Sequence, residues 1–326
     1  MPTKTAPELK TATRATTKPQ IFIDGEAGTT GLAIRQLLAG VTGLGVKSLS
    51  AAERKDTRAR LAIMREVDLV VLCLPDAAAR EAVGLIDALG AAAPRIVDGS
   101  TAHRVAQGWV YGFAEMAKGQ TAAIQSARRV SNPGCYPTGA IALLRPLVEA
   151  GLVPADHPVS VNAVSGYSGG GRAMIEAFES GQAPAFELYG LELEHKHVPE
   201  LQTYAKLRRR PLFVPSVGNF RQGMLVSVPL HLDTLPGKPA ARDLEAALIA
   251  HYAGAERVRV VPTAAGPSPG GRLEPEALNG SNDLELRVFA NAKWDQVVLV
   301  ARLDNLGKGA AAAALQNIGL MLGVAV

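Results

Sequence analysis

Short apolar runs recur through the first half of the chain, each followed by a stretch with helical spacing. Residues 21–24, Ile-Phe-Ile-Asp, form the first run. They lead through Gly25-Glu26-Ala27-Gly28-Thr29-Thr30-Gly31 into Leu32, Ile34, Leu37 and Leu38, which share one helical face. Residues 46–50 predict a second strand. Residues 68–74 predict a fully apolar third, stopped by Pro75, as a strand buried on both faces of a parallel sheet requires. A helix over about 77–89 ends at Gly90, and Arg95-Ile96-Val97-Asp98 starts a further strand. This alternation predicts an α/β fold with a Rossmann-type, doubly wound parallel sheet. Later runs at 212–217, 223–232, 283–289 and 296–303 are rich in Val and Leu and read as strands.

Composition narrows the class. A chain of 326 residues is long for a single core, so two domains are expected. Its 48% hydrophobic and 20% charged residues suit an ordinary globular protein. No apolar run nears the roughly 18–20 residues that span a bilayer, and the start lacks the apolar segment of a secretory signal. Two cysteines make no disulfide framework, which suits a reducing, cytoplasmic setting. The net charge of +4 changes little, because Lys4, Lys10, Arg14 and Lys18 face only Glu8 near the start. Residues 1–19 lack apolar periodicity and read as a disordered tail. The remainder is nearly neutral, so neither nucleic acid nor membrane is an expected partner; a small-molecule substrate is.

The glycine-rich turn sits between a strand and a helix, where backbone N–H groups and the helix N-terminus receive a pyrophosphate. Gly25, Gly28, Thr29, Thr30 and Gly31 are its candidate cofactor contacts, against the plainer reading of a turn without a ligand. At the end of the second strand, Ser50, Arg54 and Lys55 favour the 2′-phosphate of NADP, and Glu53 opposes it.

The reactive centre is expected at Cys135, in Ser131-Asn132-Pro133-Gly134-Cys135-Tyr136-Pro137-Thr138-Gly139. A strand over 129–131 meets a turn, and a helix beginning near Pro137 runs to Gly151 on Ile141, Leu144, Leu147 and Val148. A thiol at a helix N-terminus is expected to have a lowered pKa. Cys73, inside an apolar strand, is expected to be inert. His195-Lys196-His197-Val198-Pro199-Glu200 offers acid/base partners. If extended, it puts both imidazoles on one side, with Glu200 free to orient His197. Metal binding by this stretch is disfavoured for want of further ligands. A strand from Val159 enters Ser165-Gly166-Tyr167-Ser168-Gly169-Gly170-Gly171-Arg172, an exposed, backbone-rich loop. With its guanidinium it suits an anionic ligand, or is merely a flexible hairpin.

The Asn132–Thr138 block resembles the active-site signature of the N-acetyl-gamma-glutamyl-phosphate reductases. Gly25–Gly31, Ser165–Arg172, His195–Glu200 and Asn305-Leu306-Gly307-Lys308-Gly309 are similar to other segments of that family. The compact length and the version Asp98-Gly99-Ser100-Thr101-Ala102-His103-Arg104 resemble its shorter branch, although Glu26 stands where many members have a small residue. The resemblance implies an NADP-binding Rossmann domain over 20–135 with 305–326. It also implies an α+β substrate and dimerisation domain of the semialdehyde dehydrogenase type over 136–304. It implies reduction of N-acetyl-glutamyl 5-phosphate through a Cys135 thioester, with His197 as acid/base, His195 assisting near the phosphate and Asn305 near the nicotinamide. Arg104, Arg172, Asn132, Ser165 and Gly166 are expected around the substrate, with Arg104 and Arg172 holding its phosphate or carboxylate. The expected assembly is a dimer or tetramer. The alternatives are another thiol-dependent semialdehyde dehydrogenase, of aspartate or lysine-pathway type, and a non-catalytic NADP-binding regulator.

Overall fold

The computed structural model describes residues 18–263 and 271–326, so the tail expected over 1–19 lies almost wholly outside the described residues. Six strands form an all-parallel first sheet: β1 (Gln20–Asp24), β2 (Gly45–Lys47), β3 (Leu69–Leu72), β4 (Arg95–Asp98), β5 (Val110–Tyr111) and β6 (Arg129–Ser131). Their order is β2-β1-β3-β4-β6-β5. Between them run α1 (Thr29–Leu38), α2 (Thr57–Met64), α3 (Asp76–Asp87) and α4 (Gln120–Ser126). Alternate side chains of each strand enter opposite cores. Ile21, Ile23 and Val71 pack with Ile34 and Leu38 of α1, whereas Phe22, Val70 and Leu72 pack with Met64, Val83 and Ile86 of α2 and α3. Because β1 lies between β2 and β3, the connections leaving it diverge and open a crevice beyond the carboxyl ends of the strands.

The second sheet is mixed. It contains β7 (Ser160–Gly166), β8 (Phe186–Leu188), β9 (Leu212–Gly218), β10 (Met224–His231), β11 (Val258–Val260), β12 (Leu284–Asn291) and β13 (Gln296–Leu303), in the order β11-β12-β13-β10-β7-β9-β8. The pairs β7/β9 and β11/β12 are parallel and the others antiparallel. Four helices accompany it, α5 (Cys135–Glu149), α6 (Gly171–Glu179), α7 (Val198–Tyr204) and α8 (Ala241–His251), and the last helix, α9 (Ala312–Leu322), packs with the first sheet. Ile141, Leu144 and Leu147 of α5 close one face over Val226, Val228, Leu299 and Ala301. The intervening residues Leu225, Ser227, Val298 and Val300 line an apolar cavity on the other face. The chain then returns, and Ile318 and Met321 of α9 join the core that holds α1.

Local departures from the sequence reading have physical causes. The second strand stops at Lys47, since Ser48–Ser50 turn away to bond with Glu26 and Glu53. The helix after the cysteine turn begins at Cys135 itself rather than near Pro137. Residues 167–170 form a short 3-10 turn that leads into α6, not an open loop. The His195–Glu200 stretch is not extended: a turn closes onto α7, with Pro199 in the helix's first turn.

Candidate active site

Cys135 is the first residue of α5, presented by a turn that admits no side chain before it. A Cβ on Gly134 would lie 2.5 Å from Arg104 Nη1, 2.7 Å from Glu200 Oε1 and 2.9 Å from His197 Nε2. The turn is held from behind by Glu200, in the first turn of α7. One carboxylate oxygen accepts from Arg104 Nη1 at 2.5 Å; the other accepts from Tyr111 OH at 2.8 Å and the Gly134 N–H at 3.1 Å. Arg104 spends its other nitrogens on the Asn132 and Gly99 carbonyls. Two expectations are corrected here. Glu200 makes no hydrogen bond to His197 and cannot orient it, because its carboxylate is taken up by the cysteine turn. Arg104 is buried and paired, so its charge is already balanced.

His197 sits at the N-cap of α7 and is buried, with Nδ1 lacking any hydrogen-bond partner among the described residues. Packing orients it instead: the His195 ring stands edge-on at 4.7 Å, and His195 Nδ1 accepts the His197 N–H. Burial and the nearby Arg104 hold the His197 pKa far below the usual imidazole value, and burial takes His195 down to about 4. Both rings are therefore neutral at pH 7. The expected lowering of the Cys135 pKa is also corrected. Burial pushes the thiol up to about 11, outweighing Arg104 and the Tyr136 N–H, which act the other way. Cys135 is at rest a thiol, and it lines the same cavity as the neutral imidazole of His197. Cys73 is pushed up to about 12 by burial among apolar residues.

These groups surround a cavity of about 330 Å³ that Ser165, Gly166, Tyr189, Lys196 and Asn305 also line. Thr29 and Thr30, the opening residues of α1, reach the same cavity, so the glycine turn and the cysteine turn share one space. Asn132 is used structurally: its amide donates to the Ala310 carbonyl at 2.9 Å and accepts from Asn317 Nδ2 at 3.0 Å. Asn305 donates to Ser168 Oγ and accepts the Gly223 N–H, tying the glycine-rich turn to the return segment. Arg172 does not join the cavity. Its side chain is 87% exposed and pairs with Glu176 one turn along α6.

At the cofactor end, Gly25 has φ +91°, and a Cβ there would overlap the Cys73 carbonyl, so only glycine suits the position. Helix α1 carries no acidic residue in its first turn, as a phosphate-receiving N-terminus requires. Glu26 is buried and accepts from Arg35 at 2.5 Å, Arg54 at 2.8 Å and Ser48 Oγ at 2.9 Å, while Ser50 Oγ donates to Glu53. Arg35 and Ser48 were not legible as part of this cluster, since they converge only across the β1–α1 and β2 connections. Tyr111 and Tyr189 carried no sequence signal either; their hydroxyls meet Glu200 and Tyr136 only in the fold. Among the described residues, no group of three or more His, Cys, Asp or Glu could hold a metal ion, and no helix is long and apolar enough to cross a membrane.

Comparison with known proteins places this geometry in a class. Residues 135–305 match the family described as semialdehyde dehydrogenase, dimerisation domain. Among solved structures, aspartate semialdehyde dehydrogenase II of Vibrio cholerae, complexed with ASA, superposes with a TM-score of 0.68 at 15% identity. That match covers 94% of this chain and 99% of the other. The NADP-bound aspartate semialdehyde dehydrogenase of Candida albicans, with a TM-score of 0.60 at 13% identity, shares the fold over 94% of this chain and 99% of that one. The fold is that of a semialdehyde dehydrogenase. N-acetyl-gamma-glutamyl-phosphate reductases of Burkholderia lata and Brucella ovis are each 54% identical over 311 residues, 94% of this chain and 98% and 99% of theirs. A Pseudomonas putida protein, N-acetyl-gamma-glutamyl-phosphate reductase 2, is 53% identical over 308 residues, 94% of this chain and 97% of its own. The chain belongs to the N-acetyl-gamma-glutamyl-phosphate reductase family.

Proposed function

We propose that the protein reduces N-acetyl-glutamyl 5-phosphate to N-acetyl-glutamate 5-semialdehyde with NADPH, releasing phosphate, as a step of arginine biosynthesis. The observation that carries this reading is the single cavity in which Cys135, His197 and the N-terminus of α1 meet. The residues present fit a dinucleotide. Gly25 and Gly31 bring the backbone turn close to the strand end, Thr29 and Thr30 open α1, and Arg35 and Arg54 bring positive charge to the end of β2. Those two guanidiniums with Ser48 favour NADP over NAD.

The Cys135 sulfur attacks the acyl carbon, forming a C–S bond as the C–O bond to phosphate breaks, and the thiol proton passes through neutral His197 to the phosphate, which leaves as its dianion. The glycine turn Gly25–Gly31 and the start of α1 would hold a reduced nicotinamide dinucleotide, which would supply the hydride for the thioester carbon. The C–S bond breaks, the aldehyde leaves, and a proton taken up from solvent through His197 restores the thiol. Backbone N–H groups at the start of α5 stabilise the oxyanion of both tetrahedral states. Arg104, Glu200 and Tyr111 act as positioning residues that hold the turn. The protein works as a dimer or tetramer, associated through the open face of the second sheet, where Phe186 and Leu188 stay exposed.

The test runs the reaction backwards, with N-acetyl-glutamate 5-semialdehyde, inorganic phosphate and NADP, following the absorbance of reduced cofactor. Phosphate-dependent reduction that Cys135→Ser abolishes is expected. Activity with aspartate semialdehyde alone would keep the chemistry and overturn the substrate.

A further inference from the structure

We propose that Lys196 is the phosphate-holding residue of this site. The inference deepens the proposed reaction and rests on it for the identity of the substrate. A reaction that expels phosphate from an acyl carbon needs positive charge where the dianion gathers, and the two arginines favoured by the sequence do not provide it. Arg104 is buried, with its guanidinium bonded to Glu200 and to the Asn132 and Gly99 carbonyls. Arg172 lies outside the cavity and pairs with Glu176. The two imidazoles are neutral at working pH.

Lys196 lines the cavity, is exposed, and has neither an ion pair nor a hydrogen bond among the described residues. The carboxylate that feels its charge, Asp76, is committed to the Thr101 N–H and hydroxyl and also faces Arg80. Lys196 thus brings to the lining of the cavity a charge that no bonded carboxylate cancels among the described residues. Its backbone is fixed by the turn it occupies: the His197 N–H bonds His195 Nδ1, and the Val198 N–H bonds the His195 carbonyl. The charge of Lys196 is felt by both imidazoles of that turn, His195 and His197. A lysine suits this task because its ammonium is a compact charge with three rotatable donors, able to follow a phosphate from ester to free ion. Water around an exposed ammonium also lets the released phosphate depart. Lys196 acts on the phosphate, while His197 handles the proton.

The experiment compares wild type with Lys196→Gln and Lys196→Arg in two assays on the full chain. In the backward reaction, Lys196→Gln should raise the KM for inorganic phosphate at least about tenfold, leave the KM for NADP within about twofold, and be rescued in part by arginine. In the second assay no turnover is needed: inorganic phosphate should slow alkylation of Cys135 by iodoacetamide in wild type and in Lys196→Arg, but not in Lys196→Gln. Equal protection in wild type and Lys196→Gln, an unchanged phosphate KM, or no protection in wild type would each overturn the assignment. Protection that depends on Lys196, without any reduction of NADP by the semialdehyde, would uphold the phosphate site and overturn the substrate.

Discussion

Cys135 rests as a thiol, because burial outweighs both Arg104 and the start of α5 in setting its pKa. Replacing it with serine should lower turnover by at least about 10³-fold while NADPH affinity, measured by fluorescence titration, is unchanged. His197→Asn should cost about 10²–10⁴-fold, since it removes the proton acceptor and leaves the nucleophile in place. The neutral histidines also mark the acid limit of stability. An imidazole whose folded pKa is depressed binds fewer protons folded than unfolded, so stability is complete above the unfolded value of about 6.5. It falls as pH drops toward the folded value, which is about 4 for His195 and lower still for His197. Thermal unfolding midpoints should therefore drop between pH 6.5 and 4, and the His195→Asn/His197→Asn pair should flatten that drop. An unchanged slope in the double variant would put the acid sensitivity elsewhere.

The elements that carry these residues meet at two tight joints. At the first, Gly134 lies against Arg104, Glu200 and His197, and Gly134→Ala should displace the cysteine turn and cost about 10²-fold in turnover with the cofactor still bound. At the second, the π-turn Gly307–Ala311 brings Gly309 against Cys135, and a Cβ there would come within 2.7 Å of the cysteine Cβ. That turn is anchored by Lys308, only 2% exposed, whose ammonium meets Glu115 at 2.8 Å and Gln316 at 3.1 Å. Glu115→Gln strands a buried cation and should destabilise the fold by about 3–5 kcal/mol, read from the urea midpoint. Lys308→Met/Glu115→Leu should recover much of the loss. The sequence pattern located several strands well: β4, β6 and β13 fall where it predicts them. It missed β5, β8 and β11, strands of two or three residues that show no period; β6, equally short, was legible because it leads into the cysteine block.

At the scale of the molecule, two sheets with separate cores meet along α5 and the returning segment before α9, and the cavity lies at that junction. Such a site needs both halves: Cys135 and His197 come with the second sheet's helices, Thr29 and Thr30 with the first. The second sheet keeps an apolar outer face, with Phe186 56% exposed and Val298 and Val300 lining its hollow. A face of this kind on a free monomer is unusual and suits a subunit interface. Val298→Lys should shift the mass measured by light scattering toward the 34.0 kDa single chain, with the secondary structure retained.

What the sequence determined by itself was the set of local propensities and the reactive motifs. Apolar periodicity defined the parallel sheet, and the Gly25–Gly31 and Pro-Gly-Cys-Tyr-Pro runs marked the turns that open α1 and α5. These are properties of neighbouring residues, and a linear pattern records them. Only the tertiary structure decided how the charges pair. Glu200 turned from His197 to Arg104, Tyr111 and Gly134, Glu26 gathered Arg35 and Arg54, and Lys196, in the cavity's lining, was left without an ion pair among the described residues. The reason is physical: a buried charge takes the partner that folding brings within reach, and Glu200 finds Arg104 and Tyr111 some ninety residues away in the chain.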